Sequence, residues 1–282
     1  MPSCELKSKN TGSDQMKINQ EERAARAWPI LIKHAIQGTT LTYGELGELL
    51  GIHHRACRYV LLEIQAYCLE NEFPPLTMVV VNSSTRTPGQ GCVVNDPRLI
   101  AQQKSEVQVF PWTAQENPFG YAAMGFTGEQ LANELLQGPS SAGEIYAMVK
   151  VRGKIQRLFR TALLKAYGYQ CAITDTTFTP VLEACHILPW SQSTEVERLD
   201  VRNGILMNCN HHRLFDRGLI TFGLDLKLIY FDMEQEDGPY TESDHYLSTR
   251  LHGSSVNLPS PLHLAPGSEY LKRSHQWYGW EL

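Results

Sequence analysis

The 282 residues carry 42% hydrophobic and 20% charged side chains and a net charge of −5. That balance is close to the average for globular domains and excludes a fibrous or wholly disordered chain. No apolar run approaches the roughly 18 residues that cross a bilayer, and the N-terminus lacks the apolar centre of a secretory signal, so a cytoplasmic protein without membrane insertion is expected.

The length predicts two folding units, because domains commonly span about 100–200 residues. Seven cysteines without a close Cys-x-x-Cys pair predict reduced thiols and argue against a structural zinc knuckle. The acidic balance has a consequence for any polyanionic partner: cations must be concentrated on the surface that meets it.

Residues 1–20 are polar and cannot bury enough apolar surface to offset the entropy of ordering, so a flexible tail is expected. Ala25, Trp28, Leu31, Ile32 and Ala35 recur at helical spacing and predict a helix from Glu21 to about Gln37. Thr42 can cap a short helix through Leu50, with Glu45 completing a capping box and Gly51 stopping it. A second helix opening at Ile52 carries His53, His54, Arg55 and Arg58 in its first turns. A short helix, a glycine turn and a basic helix resemble a helix-turn-helix, with Arg55 and Arg58 as candidate nucleic-acid contacts.

Thr42-Tyr43-Gly44-Glu45-Leu46 and the later Pro74-Pro75-Leu76 also resemble the winged-helix part of DNA alkyltransferases. The alkyl-accepting Pro-Cys-His-Arg motif is missing, and Thr77–Asn82 reads instead as a buried strand, so this resemblance implies binding without alkyl transfer. Contact with a partner protein remains the alternative for this segment. Residues 83–145, with Pro88-Gly89-Gln90-Gly91 and Gly138-Pro139-Ser140-Ser141, suggest a loop-rich connector.

Ile155, Leu158, Phe159, Ala162, Leu163 and Ala166 predict an amphipathic helix that ends before Gly168. Lys150, Arg152, Lys154, Arg157 and Arg160 crowd this region with no acid among them. They are either a solvated helix face or, together with the later Arg213, a nucleic-acid surface.

The densest chemistry follows. His186 stands in Leu182-Glu183-Ala184-Cys185-His186-Ile187-Leu188-Pro189-Trp190, Asn203 in Asp200-Val201-Arg202-Asn203-Gly204-Ile205, and His212 in Asn210-His211-His212-Arg213-Leu214-Phe215-Asp216. With Tyr169-Gln170-Cys171-Ala172-Ile173-Thr174 at the start and a hairpin from Leu219 to Tyr230, these words resemble the His-Asn-His (ββα-metal) endonucleases. They are of the kind found in bacterial anti-phage defence systems such as Zorya type II.

Phosphodiester cleavage needs a base to activate water and a cation to stabilise charge on phosphate and leaving oxygen. A neutral imidazole at His186 suits the base. Asn203, which can donate and accept, suits bracing the loop that carries it. The resemblance implies that His212 is a ligand of one divalent cation, Mg²⁺ or Mn²⁺. Such families often carry an acid or histidine directly before the base, where this chain has Cys185. Glu183 shares the strand face of Cys185 and reaches further, which makes it the preferred second ligand.

The expected architecture is α+β. A recognition module at 21–95, helix-turn-helix or winged-helix-like, and a connector at 96–147 precede a nuclease domain at 148–282. Pro266–His275 would form a last helix. The resemblance implies hydrolysis of DNA with nicking as the simplest outcome for one active site, with other defence-system subunits as possible partners. An RNA-directed nuclease, or a catalytically silent DNA- or partner-binding subunit, are the competing readings.

Overall fold

The computed structural model describes residues 18–89, 97–232, 234–236 and 238–281; most of the expected tail lies outside them. Gln20–Gln37 forms α1, capped by Asn19, whose side chain accepts from the Glu22 amide at 3.1 Å. Its apolar stripe buries Trp28, which meets Tyr67 and Trp112 edge-on with centroids 5.6 and 6.0 Å away.

After Gly38 the chain enters β1 (Leu41–Thr42) and α2 (Tyr43–Leu50). The capping box forms as the sequence predicts: Thr42 Oγ1 accepts from the Glu45 amide, and a Glu45 carboxylate oxygen accepts from the Thr42 amide. Gly51, at φ 66°, ends the helix. The next helix does not open at Ile52. His53 first caps a 3₁₀ turn over His54–Ala56, and α3 then runs Cys57–Glu70. The expected strand over 77–82 shrinks to β2 (Val80–Val81), parallel to β1, because Leu76–Val79 winds into a 3₁₀ turn that keeps Leu76 and Met78 in the core.

The stretch read as loop-rich is largely helical: α4 (Pro97–Val109), α5 (Gly120–Ala123), α6 (Gly128–Leu135) and α7 (Ala142–Val149). Pro111, Pro118, Gly125 and Gly138 sit between the short helices, whose apolar sides are split between two cores. Val107, Trp112 and Phe119 join α1–α3, whereas Tyr121, Leu131, Leu135 and Ile145 join the elements that follow. Glu21 of α1 bridges the seam, accepting from the Tyr121 hydroxyl at 2.6 Å and the Gly128 amide at 2.7 Å.

The second core is built around α8 (Arg152–Ala166), which buries the predicted apolar stripe. β3 (Leu182–His186) and β4 (Gly204–Asn208) pair antiparallel, Leu182 opposite Asn208 and His186 opposite Gly204. β4 passes directly into α9 (Cys209–Asp216), and β5 (Ile220–Phe222) with β6 (Leu228–Tyr230) makes the expected hairpin. α10 (Glu242–Leu247) and α11 (Ser268–Tyr278) complete the chain, with Tyr270 and Leu271 of α11 buried in this core. Among the described residues no helix is long and apolar enough to cross a membrane.

Candidate active site

The site is assembled by two strands, the loop between them and one helix. Asn208 ends β4 in an extended conformation and its side chain accepts from the His211 amide at 3.0 Å, so α9 starts without an intervening loop. The helix thereby lies against β3, and His212 and Asp216, one turn apart, share a face.

Asn203 is fully buried at the end of the loop. Its Oδ1 accepts from the Leu188 amide at 2.9 Å, and its Nδ2 donates to the Glu197 carbonyl at 3.0 Å and the Ser193 hydroxyl at 3.2 Å. One side chain thus ties three points of the segment between the strands. Asp200 adds a further tie, accepting from the Arg202 amide and from the Tyr270 hydroxyl of α11.

His186, the last residue of β3, is partly buried. Its ring stacks on Phe159 of α8 with centroids 4.0 Å apart and planes 10° from parallel, and meets Trp190 edge-on at 5.8 Å. Its Nε2 lies 3.0 Å from the Arg198 carbonyl. A carbonyl only accepts, so Nε2 carries the proton and Nδ1 keeps the lone pair. Burial pushes the pKa of His186 down to about 4, the Arg198 carbonyl opposing this and the nearby His212 and Arg198 adding to it. The ring is neutral at neutral pH. Gly204, facing His186 across the strands, permits the close approach of α8, since a Cβ there would lie 2.6 Å from both Phe159 and Leu163.

On the helix side, His212 Nδ1 is 2.5 Å from Glu183 Oε2 and Nε2 is 3.4 Å from Asp216 Oδ2. The ligand atoms of Cys185, His212 and Asp216 all lie within 4.8 Å of one another. Glu183 and Cys185 share a strand face as expected, yet they differ. Glu183 holds the imidazole from one side, while Cys185 is fully buried and burial raises its thiol pKa well above the ordinary value. A buried neutral thiol is a poor donor unless a cation displaces its proton. An imidazole flanked by two carboxylates is the chemistry of a divalent-cation site, and these donors fit one. His211 is buried and is not among them.

Sequence reasoning missed Asp216, although its position four residues after His212 on a helix was the available signal. It also missed the packing of Phe159, Trp190 and Arg198 around His186, for which local sequence holds no signal. The basic stretch needs correction. Lys154 is 2% exposed, with its ammonium 4.3 Å from the Phe119 ring centroid and 3.7 Å from Glu21, and cannot reach a phosphate outside. Arg160 turns inward to the carbonyls of Thr179 and Leu182, and Arg157 lies 3.8 Å from Glu70. Lys150, Arg152 and Arg213 remain exposed. Arg152 lies over one side of the site, its guanidinium 5.0 Å from the Trp190 ring centroid, and Arg198 lies 4.7 Å from the same ring. Arg55 and Arg58 sit on the other core and take no part here.

Two antiparallel strands run into a helix, with a histidine ending the first strand and another on the helix, which is a ββα arrangement. Residues 171–223 match the family model described as HNH endonuclease, which covers both strands, the loop, α9 and β5. That segment is similar to an HNH endonuclease domain. No curated protein matches the chain.

Proposed function

We propose that the protein is a metal-dependent DNA endonuclease that cleaves one strand at a time. The observation that carries this reading is the fixed tautomer of His186. Its Nε2–H is committed to the Arg198 carbonyl and its face to Phe159, which leaves Nδ1 to take a proton from water. His212 and Asp216 would hold the cation, with Glu183 fixing the His212 ring, and the mixed oxygen and nitrogen donors suit Mg²⁺ or Mn²⁺. A bound divalent cation supplies charge stabilisation at the phosphate and at the leaving oxygen.

Asn203 keeps His186 in place by bracing the loop that follows it. Arg152, Arg198 and Arg213 provide the local cations that an acidic protein needs to approach a phosphate backbone. One such unit holds a single base and a single ligand cluster, so a monomer nicks. A role in anti-phage defence, acting with other subunits, is supported by the resemblance of the sequence motifs.

The test is supercoiled plasmid incubated with Mg²⁺ or Mn²⁺, beside an RNA of similar length and the His186→Ala variant. Relaxed circles that appear only with metal and only with the native histidine are expected. Plasmid left intact, or RNA cleaved in preference, refutes the proposal.

A further inference from the structure

The first core carries an open groove of about 1320 Å³ that lies apart from the HNH unit. Its size exceeds the roughly 300–1,000 Å³ of sites that enclose a drug-sized ligand. One wall is cationic, formed by His54, Arg55 and Arg58 at the start of α3, and no acid occurs among the described lining residues. The lining also includes a turn rich in hydroxyls, where Asn82 Oδ1 accepts from the amide and hydroxyl of Ser84, and Thr85 and Thr87 line the groove.

A second, independent feature is the lining residue Gln65. Gln65 is 7% exposed; its Oε1 accepts from the Thr77 hydroxyl, while its Nε2 has no hydrogen-bond partner. A buried amide donor left unmatched costs about 1–3 kcal/mol, so the position favours a ligand that brings an acceptor. Tyr43 forms part of the wall beside Gly89, where an added Cβ would lie 2.4 Å from the tyrosine hydroxyl.

We infer that this groove binds a segment of single-stranded DNA, its phosphates along Arg55 and Arg58 and a base carbonyl on Gln65 Nε2. The inference rests on DNA being the substrate. A cationic wall that tracks a backbone and an aromatic side chain are the elements by which proteins hold unpaired strands. The acceptor required by Gln65 is offered by the carbonyl edge of an unpaired pyrimidine, an edge that pairing partly occupies in a duplex. The HNH unit would then act near strands that are already open.

Fluorescence anisotropy of the full chain in EDTA, so that no strand is cut, tests this with labelled oligothymidylate of about twenty nucleotides, longer than one site of about 4–16. A duplex of the same length serves as comparison. Expected is at least tenfold tighter binding of the single strand. Arg55→Ala with Arg58→Ala, both exposed and harmless to the core, should weaken that binding about tenfold and lower the salt dependence by roughly 0.7 per lost phosphate contact. Gln65→Leu should weaken it about threefold to tenfold with the salt dependence unchanged. Duplex bound as tightly as single strand, or affinity indifferent to the arginine pair, overturns the inference. Plasmid nicking assayed in parallel separates the two readings. Nicking with no groove dependence removes only this site, and groove-dependent binding without nicking removes only the nuclease.

Discussion

In the proposed reaction, His186 is prepared for proton transfer by its neighbours more than by its own basicity. A ring with its pKa pushed down to about 4 is a weak base in water. At neutral pH it is nevertheless neutral, and its contacts with Phe159 and the Arg198 carbonyl orient it, which is what a positioned base contributes. His186→Ala should lower plasmid nicking by roughly 10²–10⁴-fold, the range for loss of a general base, while leaving the melting temperature near that of the native chain. Asn203 acts through the loop. Asn203→Ala strands the Leu188 amide and the Ser193 and Glu197 partners in a buried site, and should cost about 1–3 kcal/mol of stability in urea unfolding. Activity should fall, yet Mn²⁺ binding measured by calorimetry should persist, because none of the three partners is a candidate ligand. Glu183 and Asp216 separate by the same measurement. Asp216→Asn should abolish most of the Mn²⁺ heat, whereas Glu183→Gln should weaken affinity by about 10–100-fold, as expected for a group that orients a ligand. Equal losses in both variants would make Glu183 a ligand in its own right.

At the level of elements, α8 is the frame on which the site is hung. Its Phe159 supports the His186 ring, its Arg160 anchors the carbonyls before and at the start of β3, and its approach to β4 is set by Gly204. Gly204→Ala must displace Phe159 and Leu163; about 1–3 kcal/mol of destabilisation follows from overpacking, and the nicking rate should fall because the ring under His186 moves. Lys154 on the same helix is buried, which pushes its pKa from 10.5 down to about 8. The unfolded chain therefore binds more protons than the folded one between pH 8 and 10.5, and stability rises with pH in that window. Below pH 8 the buried charge costs roughly 3 kcal/mol relative to an unshifted lysine. Lys154→Met should raise stability in urea at pH 7 and flatten the rise from pH 8 to 9.5; an unchanged profile would show that the ammonium is well solvated.

For the whole molecule, the two cores meet where Glu21 caps the elements leading into α6 and where Arg157 faces Glu70. The helices α5–α7, placed before the HNH unit in sequence, pack with it. A fragment of residues 148–282 lacks Tyr121, Leu131, Leu135 and Ile145 and should show little cooperative unfolding by circular dichroism. A fragment of residues 120–282 should melt as one transition. Periodicity and capping chemistry made α1, α2 and α8 legible, because these depend on side chains a few residues apart, whereas the hairpin was expected from the family resemblance. The His186, Asn203 and His212 words were legible because their flanks form a continuous pattern along the chain. The helices of the 97–149 stretch were not, since short segments with weak intrinsic preference become helical only when a core accepts their apolar side. Nor could a run of cations announce that Lys154 and Arg160 turn inward, because a helix pattern reports spacing and not which partner lies opposite. Local chain chemistry thus sets which elements form and which residues can do chemistry. Burial and long-range contact, which join Phe159 to His186 and Glu183 to His212, decide protonation, orientation and partnership, because those properties depend on atoms that only folding brings together.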